Sequence, residues 1–141
     1  MDDLKRWRRD LHQIPELGLE ETQTTAYLKA ELEKMGYQPQ PLLETGLYVF
    51  IDHGYGKSVA FRTDIDGLPV NEETGVEFAS THKGIMHACG HDGHATIAFI
   101  FNRAAGHNAG NAAANADQHG DKGLARKPEL AEHTVKNKGD T

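Results

Sequence analysis

Three imidazoles, a thiol and a carboxylate fall within eight consecutive positions of this chain, in the run Met-His-Ala-Cys-Gly-His-Asp-Gly-His at 86–94. That is the composition of a metal site. A thiolate together with imidazole suits zinc and its later first-row neighbours. Gly90 permits a turn in which Cys89 and His91, two positions apart, converge instead of pointing to opposite sides of a strand. For Cys-x-His alone, a buried free cysteine beside solvated histidines is the simpler reading. His87, Asp92 and His94 tip the balance toward metal, and composition leaves open which atoms bind.

Two other clusters carry reactive side chains. Arg-Thr-Asp-Ile-Asp-Gly-Leu-Pro at 62–69 puts two carboxylates, Asp64 and Asp66, where an apolar run ends. Strand ends in α/β sheets are where ligands bind, and an aspartate there can orient a metal-bound histidine. Against this, Asp-Gly is a common turn and Arg62 can simply pair with Asp64. Arg-Arg-Asp-Leu-His-Gln-Ile-Pro-Glu at 8–16 contains His12. Close to a helix C-terminus an imidazole is favoured by the helix dipole, so His12 reads as structural.

The elements that must position these groups follow from hydrophobic spacing. Leu4, Trp7, Leu11 and Ile14 predict an amphipathic helix over 2–14, stopped by Pro15. A second helix is predicted from about Thr22, with Ala26, Leu28, Leu32 and Met35 as its apolar stripe and Gly36 just past its end. Residues 46–52 and 58–63 are β-branched and aromatic, which predicts paired strands joined by a turn at 53–57. A third helix is expected to open near His94, because Ala95, Ile97, Ala98, Ile100 and Phe101 are apolar and free of breakers. Helices followed by strands suggest an α/β or α+β sandwich.

The pattern stops after Phe101. Residues 102–141 contain only Leu124, Leu130 and Val135 as large aliphatics, and no aromatic. Such a segment cannot offset its own ordering entropy. The expected division is a folded part at 1–101 and a low-complexity, disordered tail at 102–141, with at best a fraying helix at 127–136.

Charge narrows the partners. Residues 1–101 hold nine Lys and Arg against sixteen Asp and Glu, whereas 102–141 hold six against five. An acidic body argues against nucleic acid or an anionic membrane, both of which reward basic patches. The single cysteine, Cys89, excludes an internal disulfide and fits a reducing compartment, with the cytoplasm as default. No run approaches the ~18 to 20 apolar residues of a membrane-spanning helix.

Five segments occur in an order that resembles one family. They are Arg-Asp-Leu-His-Gln-Ile-Pro-Glu at 9–16, Phe-Arg-Thr-Asp-Ile-Asp-Gly-Leu-Pro-Val at 61–70, Glu-Glu-Thr-Gly-Val at 72–76, Phe-Ala-Ser-Thr-His at 78–82 and the Cys-Gly-His run at 86–94. Over residues 4–100 the chain is similar to the M20 peptidase family, in its amidohydrolase branch. That branch includes hippurate hydrolases, N-acetyldiaminopimelate deacetylases and hydrolases of auxin conjugates. The resemblance implies the N-terminal part of a zinc-peptidase-like α/β catalytic domain, incomplete, and a metal-dependent amidohydrolase of N-acetyl or N-benzoyl amino acids. It also implies Cys89 and His91 as ligands of a divalent metal (Zn, Mn, Co or Ni), Asp64 as the active-site aspartate, and Arg62 in the place of a histidine ligand of other branches. Family members further use a Glu-Glu pair as general base, later Glu and His ligands, and a lid domain through which intact homologues form homo-oligomers. None of these is found in matching context after Ile100, and Glu129, Glu132, His107, His119 and His133 read as tail residues. The expectations therefore include an inactive truncated or frame-shifted fragment, and a non-catalytic metal-binding chain. The acyl group, the amino acid and the metal stay open.

Overall fold

In the computed structural model, residues 2–52 and 59–119 are described, with side chains described to residue 105. Three helices meet through residues four apart on each: Trp7 and Leu11 from α1 (Asp2–Gln13), Leu28 and Leu32 from α2 (Thr22–Lys34), Ala95 and Phe99 from α3 (His91–His119). An i, i+4 pair lies on one helix face, so each helix presents one ridge to the same core. The rings of Trp7 and Phe99 sit 5.0 Å apart in a tilted arrangement, with Tyr27, Met35, Tyr37, Leu47, Val49 and Ile65 packed around them. Burial of each large side chain contributes roughly 1.5–3 kcal/mol.

The first two helices follow the expected spacing, and both are closed by local chemistry. Met35 caps α2 and Gly36 follows it at φ +88°, the left-handed conformation that ends a helix most easily without a Cβ. At its other end Glu21 makes no side-chain cap. The acceptor comes instead from Glu16, whose carboxylate takes the amide N–H groups of Gln23 at 3.0 Å and Thr24 at 2.7 Å. Burial raises the Glu16 pKa, but the donors from Thr24 and Gln23 outweigh it and the net shift is downward. Glu16→Gln leaves one acceptor oxygen where two are used. The expected loss is about 1 kcal/mol, read from urea unfolding; an unchanged midpoint would show that α2 starts without this cap.

The strands differ from expectation. β1 (Gln40–Leu42) pairs antiparallel with β2 (Gly46–Tyr48), in the register Gln40 with Tyr48, Pro41 with Leu47 and Leu42 with Gly46. A side chain at Gly46 would meet the Leu42 carbonyl oxygen at 2.7 Å, which is why this end of the hairpin takes glycine. Within the predicted strand 46–52, only 46–48 form a ladder, and their partner is 40–42 rather than 58–63. Residues 59–63 carry no strand, and Val59 is 98% and Phe61 56% exposed. A run that is apolar on both faces is stable as a strand only between neighbours, and among the described residues no strand pairs with it; Phe61 instead lies against Phe101 of α3, ring centroids 4.9 Å apart. The predicted turn at 53–57 and Ser58 lie outside the described residues.

The third helix begins at His91, three residues before the expected start, because Gly90 at φ +81° turns the chain directly into it. It continues to His119, through a stretch whose composition predicts no stable order. Alanine carries the best intrinsic helix propensity, and residues such as Ala112, Ala113 and Ala114 supply it there without an apolar face. Residues 120–141, with the expected helix at 127–136, lie outside the described residues. No helix among the described residues is long and apolar enough to cross a membrane.

Candidate metal centre

Backbone pairing brings the three reactive segments together. Leu68 and Met86 form an isolated antiparallel bridge, N–H to carbonyl at 2.8 and 3.0 Å, which joins the Asp64 segment to the Cys89 segment. Gly67 donates its N–H to the Glu16 carbonyl at 2.7 Å, and a Cβ there would lie 2.8 Å from Pro15 and 3.1 Å from Ile85. His82 and Thr81 bind the backbone carbonyls of Pro15 (2.6 Å) and Gln13 (2.9 Å). The sequence motifs at 9–16, 61–70, 78–82 and 86–94 are thus one contiguous unit.

Within it, the Nδ1 of His91 lies 2.9 Å from the Asp66 carboxylate and 3.1 Å from the Asp66 carbonyl oxygen. Both partners accept, so Nδ1 carries the proton and donates, which leaves Nε2 with its lone pair. Cys89, two residues earlier and before the helix starts, is a free thiol and exposed. An imidazole held through Nδ1 by a carboxylate, two residues along the chain from an exposed thiol, is a donor set that fits two positions of a metal's coordination sphere. Among the described residues, no group of three His, Cys, Asp or Glu side chains is placed to hold one ion. Asp64 does not join the pair: its carboxylate is half exposed and accepts from Arg62 at 3.0 Å.

A buried polar network lies behind this pair. His12 is buried, with Nδ1 2.6 Å from Asp92 and Nε2 3.2 Å from Glu72. Arg8 reaches the same Asp92 oxygen at 3.0 Å, while the other Asp92 oxygen accepts from the N–H of Gly93 at 2.8 Å. Burial pushes the Glu72 carboxyl up, but the donors of Ser80, Thr74 and His12 prevail and hold it low. His87, 4% exposed, has no hydrogen-bond partner of good geometry at either ring nitrogen. Burial drives its pKa down, against the pull of Asp92, so it stays neutral. The helix-end position of His12 points to a structural role, and its burial between two carboxylates agrees with that; nothing local in the sequence marks Glu72 as a partner 60 residues away.

The fold and these segments define a class, an α/β unit presenting a thiol and a carboxylate-held imidazole at a helix start. Residues 60–115 match the Peptidase family M20/M25/M40. The N-acetyldiaminopimelate deacetylase of Streptococcus uberis is 53% identical over 105 residues, 70% of this chain and 27% of that protein. That of Streptococcus gordonii is 52% identical over 103 residues, with the same two shares. Among solved structures, an aminohydrolase from methicillin resistant Staphylococcus aureus superposes with a TM-score of 0.72 at 36% identity, covering 77% of this chain and 30% of that one. A dinuclear metal binding M20 peptidase of Bacillus subtilis superposes at 0.68 and 38% identity, with shares of 74% and 31%. Over its N-terminal part the chain belongs to the M20 peptidase family, in the amidohydrolase branch. It spans about a quarter of the length of the curated relatives it matches.

Proposed function

We propose that residues 1–101 are part of a metal-dependent amidohydrolase that hydrolyses N-acyl amino acids, with Cys89 and His91 as ligands of Zn, Mn, Co or Ni and Asp64 as the active-site aspartate. The observation that carries this reading is the carboxylate of Asp66 on Nδ1 of His91, which leaves Nε2 available two residues along the chain from the exposed Cys89 thiol. The deacetylase relatives support an N-acyl amino acid as substrate, with N-acetyl ahead of N-benzoyl. A bound divalent ion would supply an activated water at this place. The chain's own residues then have three tasks: Cys89 and His91 hold the ion, Asp66 fixes the His91 ring, and Asp64 acts once it is released from Arg62. The single thiol supports a reducing, cytoplasmic setting.

Cobalt tests the ligands. Co(II) added to the protein is expected to give a thiolate-to-cobalt absorption band that vanishes in Cys89→Ser. In Asp66→Ala the band persists, with metal affinity about 10- to 100-fold weaker. A band absent from the parent protein, or unchanged in Cys89→Ser, overturns the ligand assignment.

The same reading places the end of the folded unit near residue 101. Beyond it α3 has no apolar face, and unsupported helices of this length are marginal in water. Amide exchange is expected to be fast throughout 106–119 and slow at 95–99; slow exchange at 106–119 would extend the folded unit.

A further inference from the structure

We propose that His12 is a positioning residue for Cys89 and His91, acting through Asp92; the proposal rests on the assignment of those two residues as metal ligands. Asp92 is the second residue of α3, immediately after His91, and its carboxylate is used on every side. One oxygen accepts from the Gly93 N–H at 2.8 Å, and the other from His12 at 2.6 Å and Arg8 at 3.0 Å. His12 reaches it from the last turn of α1, 80 residues away in the chain. The second ring nitrogen of His12 is taken by Glu72 at 3.2 Å, and Glu72 is itself fixed by the Ser80 N–H at 2.6 Å.

The ring is therefore held at both ends, and it holds the first turn of α3 against rotation about the helix axis. Rotation is the motion that matters. His91 and Asp92 are neighbours on one turn, so a twist that moves the Asp92 carboxylate carries the His91 ring away from the Asp66 carboxylate. It also changes the direction in which the Gly90 turn presents Cys89. Apolar packing of α3 begins one turn further along, at Ala95 and Phe99, so the side-chain pairing of its first turn falls to Asp92, held by His12 and Arg8. Burying a charged carboxylate is expensive unless it is fully paired, and on the residue next to a proposed ligand such pairing has a directional consequence.

Two near-isosteric substitutions separate positioning from stability. His12→Asn keeps an amide N–H near Nδ1, toward Asp92, and gives up Glu72. His12→Gln places its amide near Nε2, toward Glu72, and gives up Asp92. Each removes one buried hydrogen bond, so similar losses of stability are expected. The expected split is in the site: Co(II) affinity falls about 10- to 100-fold in His12→Gln, and less than about 3-fold in His12→Asn. Nitrogen NMR of the metal-free protein gives a readout that needs no metal. The His91 proton is expected to stay on Nδ1 in the parent and in His12→Asn, and to exchange between both nitrogens in His12→Gln. Should His12→Gln fail to fold, Asp92→Asn takes its place with the same expectation. Equal tautomer states in all variants overturn the proposal. If the cobalt band is missing from the parent itself, the ligand assignment falls alone, and the His91 tautomer still decides the part played by His12.

Discussion

Purified protein of residues 1–141, saturated with Zn, Mn, Co or Ni, is expected to release amino acid from N-acetyl and N-benzoyl amino acids at least about 100-fold more slowly than an intact homologue. The figure is the lower end of what a positioned general base contributes, about 10²- to 10⁴-fold. By resemblance that base is the first residue of a Glu-Glu pair beyond the Cys-Gly-His segment, and after Ile100 this sequence offers only Glu129 and Glu132, neither paired. The metal is less well held than catalysis needs. With Cys89 and His91 as the proposed ligands, the chain would supply two donors and water the others, which would leave the ion's geometry unfixed. Asp64 adds nothing while its carboxylate sits half exposed on Arg62. Release of free amino acid, followed with each metal in turn, is the measurement. Turnover within tenfold of the homologue that disappears in Cys89→Ala or Asp64→Ala would show that these residues suffice.

Why some of this was legible in the sequence and some was not follows from the range of the interactions involved. Helices α1 and α2 are set by spacing and by residues within a turn of their ends, Pro15 and Gly36, so local reading finds them to within a residue. The Gly90 turn is equally local, and its φ of +81° is what a glycine between two candidate ligands suggests. The hairpin was hidden by its composition. Pro39 and Pro41 argue against a strand, yet Pro41 sits in a two-stranded ladder with an open side, where a missing N–H costs little. The apolar run at 59–63 has strand composition, and composition cannot say whether a neighbouring strand exists. In the site, Asp64 and Asp66 are equivalent by residue type and position, because both end the same run, and the family resemblance alone singles out Asp64. Only the fold distinguishes them, by setting Asp66 on His91 and Asp64 on Arg62. The pairing of His12 with Asp92 spans 80 residues and leaves no periodic trace.

The largest effect on folding is expected at Glu31, whose replacement by Gln should cost about 2 kcal/mol at pH 7 and flatten the loss of stability in acid. Glu31 is 4% exposed and joins α2 to α1. One of its oxygens accepts from Arg6 at 2.7 Å and from the Trp7 indole at 2.6 Å; the other accepts from Lys34 at 2.6 Å. The Arg6 hydrogen bond is the main cause that holds the carboxyl at a pKa of about 2, with Lys34 and Trp7 assisting and burial opposing. Because the folded pKa lies below the unfolded one, the stabilisation is complete above about pH 4.5 and is lost as pH falls toward 2. At 1.36 kcal/mol per unit the full shift corresponds to about 3 kcal/mol. Arg6 is 44% exposed and Lys34 69%, so solvent screening reduces the expected change to about 2 kcal/mol. Glu16 and Glu72 are also held low and lose stability in the same direction, so the parent protein alone cannot isolate Glu31. The difference between parent and Glu31→Gln does. Urea midpoints at pH 7, 5, 4, 3 and 2 are expected to converge as pH falls, because the amide keeps the Trp7 hydrogen bond and has no charge to lose. Parallel curves for the two proteins would mean that Glu31 contributes packing between α1 and α2, and that its charge does not.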